Sequence, residues 1–166
     1  MKKTMLAASA VLALGATIAA VLPASAATVG ASVQLLPTGG YIGDLPGSHS
    51  YLGDDPITAG TSRSYTVACG NAGSVNEDLT LAATAGFPWN HTAPQAPTSW
   101  VYADPESLAN VAPGGSLTST VTVTVPAGTA PGLYVGIVYC NALASTQGGG
   151  INEGAGAGIR EYVQVP

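Results

Sequence analysis

The chain has 166 residues, a formal charge of −5, and only 8% charged residues against 46% hydrophobic ones. That length supports one domain with a single two-layer core and leaves two domains cramped. The acidic balance, with no basic stripe to neutralise phosphates, argues against nucleic-acid binding and disfavours contact with anionic lipid headgroups.

The chain opens with Met1, Lys2 and Lys3, then an Ala- and Leu-rich run from Met5 to Leu22, then Pro23 and the small residues Ala24-Ser25-Ala26-Ala27. A positive start, an apolar run and an A-x-A site describe an export leader over residues 1–26. An uncleaved anchor is the competing reading. It is disfavoured because the small-residue site follows directly and the run is barely long enough to span a bilayer. No cysteine follows the site, so a lipoprotein anchor is not indicated. The expected product is a secreted or cell-wall-associated domain over 27–166, with no membrane insertion after cleavage. It keeps Arg63 and Arg160 against nine acidic residues, a formal charge of about −7.

After the leader no apolar 3.6-residue period persists for three turns, and strand signals dominate. Ala31 to Leu36 is a weak strand, followed by a long Gly- and Pro-rich loop from Gly39 to Pro56. Ser62 to Cys69 alternates, with Tyr65, Val67 and Cys69 on one face; Glu77 to Thr84 places Leu79, Leu81 and Ala83 on one face. Phe87 to Pro97 reads as a second long loop, and a short strand is expected around Trp100 to Tyr102. Ser116 to Val125 is the clearest half-buried antiparallel strand, with Leu117, Val121, Val123 and Val125 alternating with threonines until Pro126. Leu133 to Cys140 is apolar on both faces and reads as a central strand after the Ala130-Pro131-Gly132 turn. Gln147 to Gly158 reads as a flexible glycine-rich hairpin connection, and Gly158 to Val165 as the last strand. About seven short strands with turn punctuation predict an all-β, immunoglobulin-like Greek-key sandwich.

In sandwich order the strands ending at Cys69 and Cys140 run in the same direction in opposite sheets, so the two cysteines lie at one end and can bridge them. Export to an oxidising setting favours that disulfide over two buried free thiols.

For nucleophilic hydrolysis the only histidines are His49 and His91, and neither lies near a nucleophile motif. Asp104 and Glu106, flanking Pro105, are the closest non-adjacent carboxylate pair and read better as solvated turn residues than as glycosidase acids. Asp44, Asp54 and Asp55 carry the oxygen ligands that calcium takes, but without EF-hand spacing; His49 and His91 lack zinc-site spacing. No cofactor or metal is therefore expected, and no catalysis. Trp89, Trp100, Tyr41, Tyr51 and Tyr102 fall in or near loops, where exposed aromatics would serve a sugar-stacking or protein-binding surface. Of these, Trp89, Trp100 and Tyr102 are the candidate contact residues, with the core as the competing place for a Trp in a small sandwich. Leu36-Pro37-Thr38-Gly39 lacks the spacing and position of a sortase signal, and the Asn90-His91-Thr92 sequon matters only in a glycosylating host.

The stretches Val111-Ala112-Pro113-Gly114-Gly115-Ser116, Val121 to Pro126 and Ala130 to Val138, with the closing Gly156 to Val165, resemble an immunoglobulin-like module of bacterial surface proteins. The resemblance is to the peptidoglycan-binding domain of WxL-interacting proteins and, less specifically, to sandwich domains appended to secreted glycosidases. It implies a sandwich fold and contact with envelope glycan. The expected function is a secreted or wall-associated, non-enzymatic module that binds cell-envelope glycan or a surface protein. A self-assembling structural protein and a small-molecule carrier are the alternatives.

Overall fold

Strands in which every second residue is apolar can bury one face only, so they must pair into sheets and stack those faces. The computed structural model describes residues 27–36, 51–52, 56–84, 93–145 and 154–166. Among them run β1 (Ala31–Leu36), β2 (Tyr51–Leu52), β3 (Ser62–Asn71), β4 (Glu77–Thr84), β5 (Val101–Asp104), β6 (Ser107–Val111), β7 (Ser116–Thr124), β8 (Gly132–Ala144) and β9 (Gly154–Val165). One 3-10 turn, Thr98–Trp100, precedes β5. The expected leader over 1–26 lies outside the described residues.

The strands form a four-stranded sheet, β1-β3-β7-β5, and a five-stranded sheet, β2-β9-β8-β4-β6. All pairs are antiparallel except β2 with β9. The expected sandwich is present, with two more strands among the described residues than the seven anticipated. Both extra strands arise where the chain changes sheet. β1 lies in the smaller sheet and β2 in the larger; β5 lies in the smaller and β6 in the larger.

Strand β6 was not anticipated because side chains hold much of it in place. The Asn110 N–H donates to Asp78 Oδ1 (2.8 Å), and Asn76 Nδ2 donates to Asn110 Oδ1 (3.0 Å). Asn110 itself has φ 56°, a left-handed conformation that asparagine tolerates. Hydrogen bonds from the Ser145 hydroxyl and the Asn110 amide hold the Asp78 carboxyl below its usual range. Glycine-rich residues from Gly154 onward, expected as a hairpin connection, instead belong to β9 and pair with β8 as far as Leu143. β8, apolar on both faces, is central, between β9 and β4.

The core between the sheets has two parts. Around Cys69 and Cys140 lie Val67, Leu79, Leu81, Leu117, Val121, Val138 and Ile159; toward the other end lie Ile57, Ala96, Trp100, Val123, Val125, Val163 and Val165. Tyr65 and Val101 pack against both. Each fully buried Val, Leu or Ile among them contributes roughly 1.5–3 kcal/mol by leaving water. Cys69 and Cys140 are joined, with a Cα–Cα distance of 5.4 Å and a sequence separation of 71.

Polar groups close the end near the disulfide. Asn71 is buried; its Nδ2 donates to the Val75 and Val111 carbonyls (2.7 and 2.8 Å), and its Oδ1 accepts the Gly73 N–H (2.8 Å). Glu77, also buried, accepts the Gly30 N–H on Oε1 at 2.8 Å, which ties the segment before β1 to the start of β4.

Glu161 is the polar exception in the other half of the core. It shares the inward face of β9 with Ile159, Val163 and Val165, lies opposite Gly136, and is 1% exposed. Its Oε1 has no hydrogen-bond partner among the described residues. Burial without compensation penalises the charged form and pushes its carboxyl up to about 7.

Two stability predictions follow from these packing features. Replacing both cysteines with alanine removes the cross-link from the unfolded chain, which the loop length makes worth about 4 kcal/mol. Urea unfolding followed by circular dichroism should show a lower midpoint with an unchanged native spectrum. An unchanged midpoint would contradict the bridge's stabilising role. For Glu161, whose folded-state pKa lies above its unfolded one, the proton-linked stability is complete below pH 4.5 and lost as the pH rises through 7. Glu161→Gln should therefore unfold much as the parent does at pH 4 but be more stable by about 3 kcal/mol at pH 8. Parallel pH profiles for the two proteins would contradict this.

Candidate functional site

The change of sheet between β5 and β6 leaves an opening at one edge of the sandwich. β6 pairs with β4 only from Glu77 to Thr80, so among the described residues β4 from Leu81 onward has no strand beside it on that side. The chain turns at Pro105, which cannot donate to a ladder. The Glu106 carbonyl then accepts the Leu81 N–H at 2.9 Å and closes one end of the gap. By the two-residue alternation of a strand, the Ala83 N–H and C=O point to the same side as the Leu81 N–H, into the opening. The 3-10 turn brings Thr98 to the other end, and β5 supplies the facing wall.

The resulting groove has a volume of about 250 Å³ and is lined by Leu81, Ala82, Ala83, Thr98, Val101, Tyr102, Ala103 and Glu106. Leu81, Ala83, Val101 and Ala103 are among its apolar lining residues. Its rim includes Tyr102, which is 66% exposed, with the exposed residues Glu106 and Thr98. Such a rim can stack on a flat, partly apolar ligand and exchange hydrogen bonds with its hydroxyl groups.

Of the three residues expected to make contacts, Tyr102 is the one in this groove. Trp100 is corrected to a core residue. Preceded by Pro97, the 3-10 turn directs its indole inward, where it is 7% exposed with its centroid 5.0 Å from that of Tyr134. Trp89, together with Tyr41, His49, Asp44, Asp54, Asp55 and His91, lies outside the described residues, as do the side chain of Tyr51 and the loop residues 85–92. The described end of that loop is ordered by pairing: Ala96 donates to the Val135 carbonyl, and Val135 to the Pro94 carbonyl, at 2.7 and 3.0 Å.

The acidic residues fall into separate places. Asp104 and Glu106 are both exposed on the corner, and Glu106 is the one that lines the groove. The buried acids Glu77 and Glu161 stand opposite Ala144 and Gly136 of β8. Eight residues of extended strand separate those positions by about 26 Å, far beyond the spacing at which two carboxyls act on one glycosidic bond. Sequence reasoning missed Glu106 as a groove residue because nothing local signals that the chain changes sheet there.

Residues 91–136 match the family model of the NPCBM-associated, NEW3 domain of alpha-galactosidase. That stretch runs through the 3-10 turn, β5, β6 and β7 into β8, and supplies five of the eight residues lining the groove. No curated protein matches the chain in sequence. Among solved structures the chain is similar to the ASH / PapD-like domain of human CEP192 (PapD-like domain 7), with a TM-score of 0.50 and 9% identity, over 82% of this chain and 84% of that one. It is also similar to a family 123 glycoside hydrolase from Clostridium perfringens, with a TM-score of 0.44 and 13% identity, over 84% of this chain but 27% of that one. The chain is an immunoglobulin-type sandwich, similar in fold to a PapD-like domain, with a NEW3-like stretch along one wall of its edge groove.

Proposed function

We propose that this chain is an exported, non-enzymatic binding module of the cell surface or extracellular space that holds a glycan in the groove beneath Tyr102. The observation that carries this reading is a groove that has an exposed tyrosine, Tyr102, with Glu106 and Thr98 among its lining residues, along a stretch similar to the NEW3 domain of alpha-galactosidase. A pyranose ring presents an apolar face to an aromatic ring and hydroxyls to a carboxylate, and this rim supplies both partners. The resemblance of residues 111–165 to the peptidoglycan-binding domain of WxL-interacting proteins points the same way, toward an envelope glycan. The acidic chain favours a neutral sugar backbone over an anionic polymer. A carrier for small apolar molecules fits less well, because about 250 Å³ is below the usual range of such pockets.

The test is retention of the purified, oxidised chain on isolated cell walls, with Tyr102→Ala, Glu106→Gln and Trp89→Ala compared. Tyr102→Ala should weaken binding about tenfold without changing the circular dichroism spectrum, and Glu106→Gln should weaken it by a smaller factor. Equal retention of the parent and Tyr102→Ala would overturn the groove as the contact surface. Loss confined to Trp89→Ala would move it to the 85–92 loop.

A further inference from the structure

The outward face of the five-stranded sheet carries a feature that the groove does not use. Ala82, which lines the groove, is exposed and lies directly opposite Tyr139 of β8; Tyr139 in turn lies directly opposite Gly158 of β9. The three form one row across three strands. All point outward, because their chain neighbours Leu81, Cys140 and Ile159 point into the core.

Beside this row, β9 has glycine at alternate outward positions, Gly154, Gly156 and Gly158. A side chain at Gly156 would collide with Cε1, Cζ and Oη of Tyr139, and a Cβ at Gly158 would lie 3.2 Å from its Cδ2. Atoms from both edges of the phenol ring thus approach the strand, and the ring lies along its backbone. Strand tyrosines ordinarily stand roughly perpendicular to the sheet. Here the missing side chains leave room for the ring beside the strand, where Tyr139 stays partly exposed. The next row of the same face, Thr80 and Asn141 opposite Gly156, places a hydroxyl and an amide beside the ring. On the other side Thr84 and Arg160 flank Ile137.

We propose that the binding path continues from the groove across Ala82 onto the Tyr139 ring, so that the ligand is an extended glycan chain rather than a terminal sugar. The inference rests on the glycan reading above and deepens it. The groove and the ring are continuous through Ala82, and from β4 to β9 the path adds two strand spacings, about 10 Å. A glycine track that only relieved crowding would account for the ring's position. It would not predict any dependence of affinity on glycan length.

The experiment measures affinity for glycan strands released from cell walls and sorted by length, about two sugars against about eight. The parent should bind the long strands about tenfold more tightly than the short. Tyr139→Ala should bind both lengths as weakly as the parent binds the short one, while Tyr139→Phe keeps the length dependence. Asn141→Arg, a substitution at an exposed position beside the ring, should abolish that dependence too and covers the case in which Tyr139→Ala fails to fold. Length dependence that survives both Tyr139→Ala and Asn141→Arg, with binding still lost in Tyr102→Ala, would overturn the extended path and leave the groove intact. Absence of binding to strands of either length by the parent would overturn both.

Discussion

Two sheets with one apolar face each have to be held face to face, and in this chain the Cys69–Cys140 bridge ties them together within one of the two parts of the core. β3 and β8 are inner strands of their sheets, so the cross-link joins the two most heavily paired parts of the fold. Leu79, Leu81, Leu117, Val121 and Val138 pack around it. With two inner strands joined across the sheets, the edges of the sandwich are free to be irregular. The chain uses that freedom twice, at β1 to β2 and at β5 to β6.

The second change of sheet creates the site. A strand that stayed in one sheet would have covered β4 along its whole length. By leaving the smaller sheet at Asp104 and joining the larger at Ser107, the chain covers β4 only as far as Thr80. The uncovered part of β4 becomes the floor of a groove, and the corner that closes it contributes Glu106. Tyr102 stands at the rim because it occupies the outward position of the last strand before the corner. The same β4 residues lead outward across Ala82 to Tyr139, which joins an edge groove to a sheet face without any further element.

Much of the fold was legible because its signal is periodic. β1 and β4 have the bounds that the sequence predicts, and the pairing of Cys69 with Cys140 follows from their places on strands expected to run in the same direction in opposite sheets. What could not be read depends on contacts distant in sequence. β6 is a short strand exposed everywhere but Val111, and its pairing with β4 is reinforced by Asp78 and Asn76, which lie over thirty residues earlier. Gly154 to Gly158 reads as a loop because glycine is a poor strand former; only Tyr139 and Leu143 across the ladder give those glycines a reason to be in a strand. Trp100 looks like a surface aromatic until Tyr134 supplies its core neighbour. Of the candidate site, Tyr102 was found by its residue type, whereas Glu106 and Tyr139 acquire meaning only from topology.

The central claim, that the sheet change forms a glycan-binding groove, is tested most directly by titrating the isotopically labelled chain with soluble glycan strands and following its backbone amides by NMR. The account predicts perturbations at Leu81, Ala82, Ala83, Thr98, Val101, Tyr102, Ala103 and Glu106, spreading to Tyr139 and Asn141 with longer strands. Perturbations confined to residues outside these groups, or none at saturating glycan, would contradict it.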